Sequence, residues 1–187
     1  MEREQLIPLL LDTEKNRANA RIDTGSLLME DALRLHDFVA AHPDIHRAVE
    51  WGTYLGRSAL AIATAMNNGI LYTCDAENDA MPHNHHTLPG AIIVLNPFTP
   101  STRMLQALAP INPAIFDLFF FDGFIMADDP ELIMQLSHAR TIYAFDDYKH
   151  NMKGTKNVAV MTPLLEQTHT FTKPERGSGL AYFTPKG

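Results

Sequence analysis

A glycine turn between an apolar strand and a helix constrains this chain more than any other feature. The segment reads Val49-Glu50-Trp51-Gly52-Thr53-Tyr54-Leu55-Gly56-Arg57-Ser58, and a helix is predicted from Arg57 to about Asn67. Glycine is needed where a backbone turns tightly or approaches a ligand without a Cβ in the way. The spacing E-x-G-x-x-x-G differs from the G-x-G-x-x-G of dinucleotide-binding domains. An acidic residue beside a glycine turn and a helix start suits a cofactor of the adenosine type.

Apolar runs alternate with helix-like segments along the rest of the chain, which is typical of an α/β domain with a parallel sheet. Helices are predicted within residues 1–24 and at 26–41, 57–67, 101–108, 129–139 and 155–167. Strands are predicted at 48–51, 70–74, 91–95, 117–121, 141–145, 168–172 and 180–184. The last two strands would form an antiparallel hairpin. The sequence therefore predicts a Rossmann-like α/β fold with a mostly parallel sheet, a C-terminal antiparallel hairpin and helices on both faces.

Length, charge and cysteine content narrow the class of protein. A chain of 187 residues suits one domain, with an N-terminal helical segment at 1–42 and a Rossmann-like core at 43–187. A net charge of −7 without a basic run argues against nucleic acid as a partner. Cys74 is the only cysteine, which is compatible with a reducing cytoplasm. No signal peptide and no run of about 20 apolar residues is apparent, so we expect a cytoplasmic protein without a membrane partner.

Acidic residues stand at the ends of four predicted parallel strands. Ligands of open α/β sheets bind outside the carboxyl ends of the strands, so these residues are the ones to examine. Asp75 follows Glu50 by 25 residues, close to the distance at which an acidic residue accepts both ribose hydroxyls. The alternative is that Asp75 caps a helix or lies in a solvated turn.

A second acidic group consists of Asp122, Asp146 and Asp147, at the ends of the fourth and fifth predicted strands. Adjacent strands lie about 4.8 Å apart, so carboxylates at neighbouring strand ends can converge. Converging carboxylates repel and raise one another's pKa, and a divalent cation removes that penalty. Oxygen ligands with open positions for substrate favour Mg²⁺. The alternative is that one acid points inward while the others cap turns or face water.

These segments resemble the class I S-adenosylmethionine (SAM)-dependent methyltransferases. Within that class, the chain is similar to the small-molecule O-methyltransferases of the catechol and macrocin types, from about Thr24 to Phe183. The motifs that carry the resemblance are the 49–58 segment, Tyr72-Thr73-Cys74-Asp75, Phe116-Asp117-Leu118-Phe119-Phe120-Phe121-Asp122-Gly123 and Phe145-Asp146-Asp147-Tyr148. Lys153-Gly154, as a turn before the next helix, and a terminal Gly179–Phe183 strand also fit.

The resemblance implies a methyltransferase fold and an enzyme that moves the sulfonium methyl group of SAM to a metal-bound hydroxyl of a small molecule. Asp122, Asp146 and Asp147 would hold Mg²⁺, and Asp122 would also be the candidate general base. A homodimer is compatible with the resemblance, because small proteins of this family are often dimers. The residues that would hold the cofactor are Glu50, Gly52, Thr53, Tyr54, Gly56, Ser58, Asp75, Asn96 and Asp122.

The chain departs from this family directly after the fourth strand. Where the related branches have a histidine or a lysine, the sequence reads Gly123-Phe124-Ile125-Met126, which leaves the general base and the acceptor open. One rival is a metal-independent methyltransferase that acts on nitrogen or a carboxylate. Another is a cofactor-binding protein without methyl transfer. A nicotinamide-dependent oxidoreductase is a third, and the glycine spacing argues against it.

Several other residues have both a functional and a structural interpretation. One loop contains His83, His85 and His86, which are either solvated or act as metal ligands, a base or a lid over the pocket, in reach of adenine or substrate. Aromatic residues that either contact the cofactor or belong to the core are Trp51, Tyr54 and Phe98. Residues that could line a substrate pocket are Tyr148 and His150. We expect a core role for 119–121 and a buried strand position for Cys74. We expect a solvated basic face formed by Lys149, Lys153 and Lys156, and the alternative is that these lysines draw an anionic substrate towards the acids.

Overall fold

One eight-stranded sheet organises the part of the chain that the structure describes. The computed structural model describes residues 1–2, 4–11, 27–54, 56–75, 87–88, 91–96, 100–110, 115–148, 152–174 and 178–187. The helices are α1 (4–11), α2 (Met29–Ala40), α3 (Arg57–Ala65), α4 (Ser101–Leu108), α5 (Asp129–Gln135) and α6 (Met152–Leu165). The strands are β1 (Arg47–Trp51), β2 (Gly69–Cys74), β3 (Thr87–Leu88), β4 (Ala91–Asn96), β5 (Phe116–Phe121), β6 (Ser137–Phe145), β7 (His169–Thr172) and β8 (Ala181–Pro185).

The strand order confirms the predicted fold class. The order is β3-β4-β2-β1-β5-β6-β8-β7, with β4, β2, β1, β5 and β6 parallel. The strands β8 and β7 continue the sheet as the predicted antiparallel hairpin, and the short β3 pairs antiparallel with β4. Because the central strands are parallel, their carboxyl ends share one edge of the sheet. The segments after β1, β2, β5 and β6 therefore leave the sheet on the same side.

Two buried apolar layers cover the two faces of the sheet. Helices α1, α2 and α3 pack on one face through residues that include Leu10, Leu35 and Ile62. Helices α4, α5 and α6 pack on the other face, where Phe119 and Phe121 point. Successive strand residues alternate between these layers, as the adjacent Phe119 and Phe120 do, because neighbouring strand side chains point to opposite faces. Helices on both faces were predicted, and the structure confirms them.

One predicted boundary is wrong. The sequence pattern extends the fifth predicted helix to about Ala139, whereas α5 ends at Gln135 and β6 already begins at Ser137. The cause is tertiary pairing: Ser137 lies in register with Phe116, and the Thr141 hydroxyl donates to the Phe116 carbonyl at 2.7 Å. Sheet contacts thus override a helical pattern that is local to the sequence.

Smaller differences occur at other helix ends. Helix α2 begins at Met29, after the predicted start at residue 26, which itself lies outside the described residues. Helix α6 begins at Met152, three residues before the predicted start, so Lys153 and Gly154 belong to its first turn and not to a preceding turn. None of the helices in the described ranges is both long and apolar enough to cross a bilayer.

Candidate active site

The glycine turn connects β1 to α3 at the carboxyl edge of the sheet. Gly52 has φ +97° and Gly56, which precedes α3, has φ +80°, a region that favours glycine. A Cβ on Gly52 would lie 2.8 Å from the carbonyl carbon of Asp122. The backbone N–H of Gly52 donates to the Cys74 carbonyl at 3.0 Å. The turn therefore presses its backbone against the ends of both neighbouring strands, and a side chain at position 52 would separate them.

Buried hydroxyls support the acidic residue of the turn. Glu50 is fully buried, and Thr73 Oγ1 donates to its Oε2. Thr53 Oγ1 lies within hydrogen-bond distance of the same Thr73 hydroxyl. The other Glu50 oxygen, Oε1, is buried without a hydrogen-bond partner among the described residues. Burial raises the pKa of Glu50 to about 7, although the hydroxyls of Ser58 and Thr73 lower it and Asp75 raises it further.

Asp75 follows β2 and faces the same turn. Its Oδ2 accepts a hydrogen bond from the backbone N–H of Tyr54 at 2.8 Å, and Tyr54 itself has φ +41°. This hydrogen bond holds the turn against β2. One oxygen of Asp75 therefore has a structural role. Asn96 ends β4 and is the register partner of Cys74, and its side chain lies outside the described residues.

The structure brings the three predicted metal-ligand candidates together. Asp122 follows β5, and Asp146 and Asp147 follow its neighbour β6. Each of the three offers a carboxylate oxygen, and these oxygens lie within 4.8 Å of one another. Two successive residues of an extended strand would point to opposite faces, but Asp147 has φ +59°, so the chain turns as it leaves the strand. That turn lets both acids join the same cluster.

Burial and mutual repulsion perturb these carboxylates. Burial, followed by the charge of Asp146, raises the pKa of Asp122 well above its ordinary value, against the opposing effect of Lys153. Burial and the Asp147 charge raise the pKa of Asp146 to about 6. The cluster is therefore a place where excess negative charge is costly and where a cation is stabilised.

Lys153 provides a cation, and the predicted solvated position for this residue is wrong. Its Nζ donates to Asp122 Oδ1 at 2.6 Å and lies 3.0 Å from Asp147 Oδ2. Only 14% of the side chain is exposed. Burial lowers the pKa of Lys153, but the carboxylates of Asp122 and Asp147 raise it more strongly, so the net direction is upward. By contrast, Lys156 is exposed, as predicted, and Lys149 lies outside the described residues.

Two further residues at this cluster were not anticipated from the sequence. Asp31 of α2 is buried, accepts the backbone N–H of Gly179 at 3.1 Å through Oδ2, and has no partner for Oδ1 among the described residues. Its charge also raises the pKa of Asp146. Gly179 lies between the two acids, since a Cβ there would be 3.2 Å from Asp146 Oδ1. Asp31 and Gly179 are more than 140 residues apart in the sequence, so no local pattern predicts their contact.

The loop after Asp122 exposes apolar side chains, and buried polar side chains hold its backbone. Phe124 and Met126 are more than half exposed. The buried Asn157 donates to the Gly123 carbonyl at 2.8 Å and accepts the Ile125 N–H at 3.0 Å. At the far end of the loop, the buried Asp129 accepts the Met126 N–H at 2.8 Å and the hydroxyls of Ser101 and Thr102. Apolar side chains thus stand on a fixed backbone beside the carboxylates.

The remaining candidates divide into core residues and residues outside the described ranges. Trp51 is buried edge-on against Phe121, with ring centroids 4.5 Å apart, although its Nε1 has no partner among the described residues. Phe119, Phe120 and Phe121 are fully buried, as predicted. Cys74 is also buried, which raises the pKa of its thiol. Tyr148 is half-buried and packs edge-on against Phe171. The predictions that lie outside the described residues concern His83, His85, His86, Phe98 and His150.

Solved structures share this architecture. The O-methyltransferase TomG from Streptomyces achromogenes, involved in tomaymycin synthesis and solved with SAM, has a TM-score of 0.71 at 18% identity, over 95% of this chain and 89% of TomG. The chain has the methyltransferase fold. The SAH-bound methyltransferase PaMTH1 from Podospora anserina has a TM-score of 0.70 at 16% identity, over 95% and 88% of the two chains. An O-methyltransferase from Bacillus cereus with SAH has a TM-score of 0.66 at 16% identity, over 94% and 90%.

The likeness to these structures concerns the fold. No protein-family model and no curated protein matches the sequence. In this chain's version of the methyltransferase fold, the glycine turn and the carboxylate cluster adjoin at one sheet edge. The N–H groups of Asp122 and Gly123 both donate to the carbonyl of Trp51, at 3.0 and 2.8 Å.

Proposed function

We propose that this protein is a SAM-dependent methyltransferase that methylates a hydroxyl of a small molecule. The observation that carries this proposal is the direct contact between the glycine turn and the carboxylate cluster. A Cβ on Gly52 would meet Asp122, so a ligand on the turn lies next to groups that can orient a hydroxyl and take its proton. Methyl transfer is a displacement in which positioning provides much of the rate enhancement.

The described residues fit a cofactor of the adenosine type. The turn has space only for glycine at position 52, and the buried Glu50 Oε1 lacks a donor that a polar ligand could supply. When bound, SAM supplies an electrophilic methyl group on its sulfonium. The residues that we propose to hold it are Glu50, Gly52, Thr53, Tyr54, Gly56, Ser58, Asp75, Asn96 and Asp122.

The donor set of the cluster fits a divalent cation. Asp122, Asp146 and Asp147 offer three hard oxygen ligands within 4.8 Å of one another, and Mg²⁺ prefers such ligands. A metal bound there would lower the pKa of an acceptor hydroxyl. We propose Asp122 as the group that accepts the hydroxyl proton, because it lies closest to the glycine turn. Phe124 and Met126 would provide an apolar surface for the rest of the acceptor.

A metal-independent methyltransferase of the same fold is the second candidate. The observation that favours it is the Lys153 ammonium, which already contacts Asp122 and Asp147. In that case, chelation of divalent ions by EDTA would leave turnover unchanged.

Calorimetric titration of S-adenosylhomocysteine (SAH), with and without Mg²⁺, tests the proposal. We expect SAH to bind, and we expect a separate Mg²⁺ signal that Asp146→Ala abolishes. Asp44→Ala is the matched control, because the Asp44 side chain is 78% exposed and precedes β1, whereas the cluster follows the carboxyl ends of the strands. Absence of SAH binding would refute the cofactor assignment, whereas SAH binding without a metal signal would favour the second candidate. A screen of hydroxylated acceptors by mass spectrometry then tests methyl transfer itself.

A further inference from the structure

The ammonium of Lys153 contacts two of the three carboxylates that we propose as metal ligands. Its Nζ is 2.6 Å from Asp122 Oδ1 and 3.0 Å from Asp147 Oδ2, and the side chain is largely buried. Hydrogen-bonded ammonium groups and metal ions both take the oxygen lone pairs of a carboxylate. Two of the proposed metal ligands therefore already have a cation of the chain itself as a partner.

The position of Lys153 follows from close packing of α6. Gly154, the next residue, is buried, and a Cβ there would overlap the backbone carbonyl oxygen of Asp146. Thr155 Oγ1 also donates to the Tyr148 carbonyl at 2.8 Å. Because a glycine lets the first turn of α6 approach the segment after β6, the preceding lysine reaches the carboxylates without extending through solvent.

One ammonium only partly balances three carboxylates. With all four groups ionised, the cluster carries three negative charges and one positive charge, and the nearby buried Asp31 adds to the negative field. A divalent cation would balance more of this charge, but it would repel an ammonium held within a few ångströms. At such separations, two like charges in a partly buried site repel each other strongly, because water screens them less there than at an exposed surface.

We propose that the Lys153 ammonium and a divalent cation are alternative occupants of one carboxylate site, so that metal binding requires Lys153 to withdraw. Lys153 then stabilises the metal-free fold and weakens the apparent metal affinity. The inference rests on the proposed function only in taking Asp122, Asp146 and Asp147 as a metal site.

Titration with Mn²⁺, followed by the electron paramagnetic resonance signal of the free ion, tests the competition. Lys153→Met should bind Mn²⁺ at least about tenfold more tightly than the wild type, because the competing charge is gone. Lys156→Met, an exposed position on the same helix, should bind as the wild type does. Equal or weaker binding by Lys153→Met, or no binding by either protein, would overturn the proposal.

A second measurement uses the wild-type protein and does not depend on the folding of a variant. Acetylation of lysines by acetic anhydride, read by peptide mass spectrometry, should modify Lys153 several-fold faster with saturating Mn²⁺ than with EDTA. Lys156 should react equally in both conditions. Unchanged Lys153 labelling with bound Mn²⁺ would overturn the proposal, since the lysine would then not have moved.

SAH titration of the same samples separates this inference from the proposed function. If wild type and Lys153→Met both bind SAH but share one Mn²⁺ affinity, the competition is wrong and the methyltransferase proposal stands. If neither protein binds SAH while Lys153→Met binds Mn²⁺ more tightly, the competition is right and the proposed function is wrong.

Discussion

The two halves of the candidate site are held together by different forces. The glycine turn is fixed by backbone conformation and by hydrogen bonds, with Gly52 at φ +97°, the Thr73 hydroxyl on Glu50 and the Tyr54 N–H on Asp75. The carboxylate cluster, one strand away, is fixed by charge, because Lys153 offsets three acids that would otherwise repel. The backbone conformation of the turn does not itself depend on salt or metal, whereas the charge balance of the cluster responds to both. We therefore expect the turn to keep one conformation, and we expect the ionic contacts of the cluster to change with solution conditions.

The largest effect should come from a side chain at the turn. Gly52→Ala combines an unfavourable φ with a Cβ 2.8 Å from the Asp122 backbone, and should lower the free energy of unfolding by roughly 3 kcal/mol or more. SAH affinity should fall at least about tenfold. Urea unfolding and calorimetry measure the two effects. Gly187→Ala is the control, because nothing lies within 4 Å of that Cβ. Unchanged SAH binding would show that the turn does not form the cofactor site.

Glu50→Gln should flatten the dependence of stability on pH. Because the pKa of Glu50 rises from 4.5 to about 7 on folding, the folded protein holds a proton that the unfolded chain releases. The free energy of unfolding should therefore decrease as pH rises through this window, by roughly 3 kcal/mol in total. Between about pH 5 and about pH 8, wild type and the exposed control Glu166→Gln should lose more stability than Glu50→Gln, which keeps only the loss that comes from Asp122 and Asp146. If the unfolding free energies of wild type and Glu50→Gln fell equally with pH, the assigned titration of Glu50 would be wrong.

The effect of Asp146→Asn on stability should be favourable without metal and unfavourable with metal. Burial and the Asp147 charge raise the pKa of Asp146 from 3.8 to about 6, so its ionised form destabilises the fold at neutral pH. In EDTA at about pH 7.5, Asp146→Asn should be more stable than wild type, by on the order of 1–2 kcal/mol. Saturating Mg²⁺ should stabilise wild type alone and reverse the order in thermal unfolding. Asp44→Asn should show no metal effect, and a variant less stable than wild type in EDTA would refute the charge argument.

The smallest effect should come from the hydroxyl of Thr73. Thr73→Val removes the donor to Glu50 Oε2 and the contact with Thr53, and should cost about 1 kcal/mol of unfolding free energy. SAH affinity should fall only a few-fold, because the backbone of the turn remains. Thr170→Val on the exposed side of β7 is the matched control. A loss as large as that of Gly52→Ala would mean that hydroxyls, and not the backbone, shape the turn.

The sequence predicted the features that depend on local spacing. The turn at 52–56 and the acids after β5 and β6 follow from residues that are close in the chain or at equivalent strand ends. The role of Lys153 could not be predicted in this way, because it depends on how closely α6 approaches β6. Asp31 was missed for the same reason, since its partner Gly179 is distant in sequence. Residue 139 was assigned to a helix because strand pairing with Phe116 has no local signal.

The anchored loop after Asp122 has a consequence for how the protein could be changed. Asn157 and Asp129 hold its backbone through buried hydrogen bonds, while the exposed Phe124 and Met126 contribute little to the core. The residues that hold the loop backbone are therefore different from the residues that form its exposed surface. The displayed pair can be exchanged for polar or larger side chains while the frame persists. Under the proposed function, a library at these two positions would be a compact way to change which acceptor is methylated.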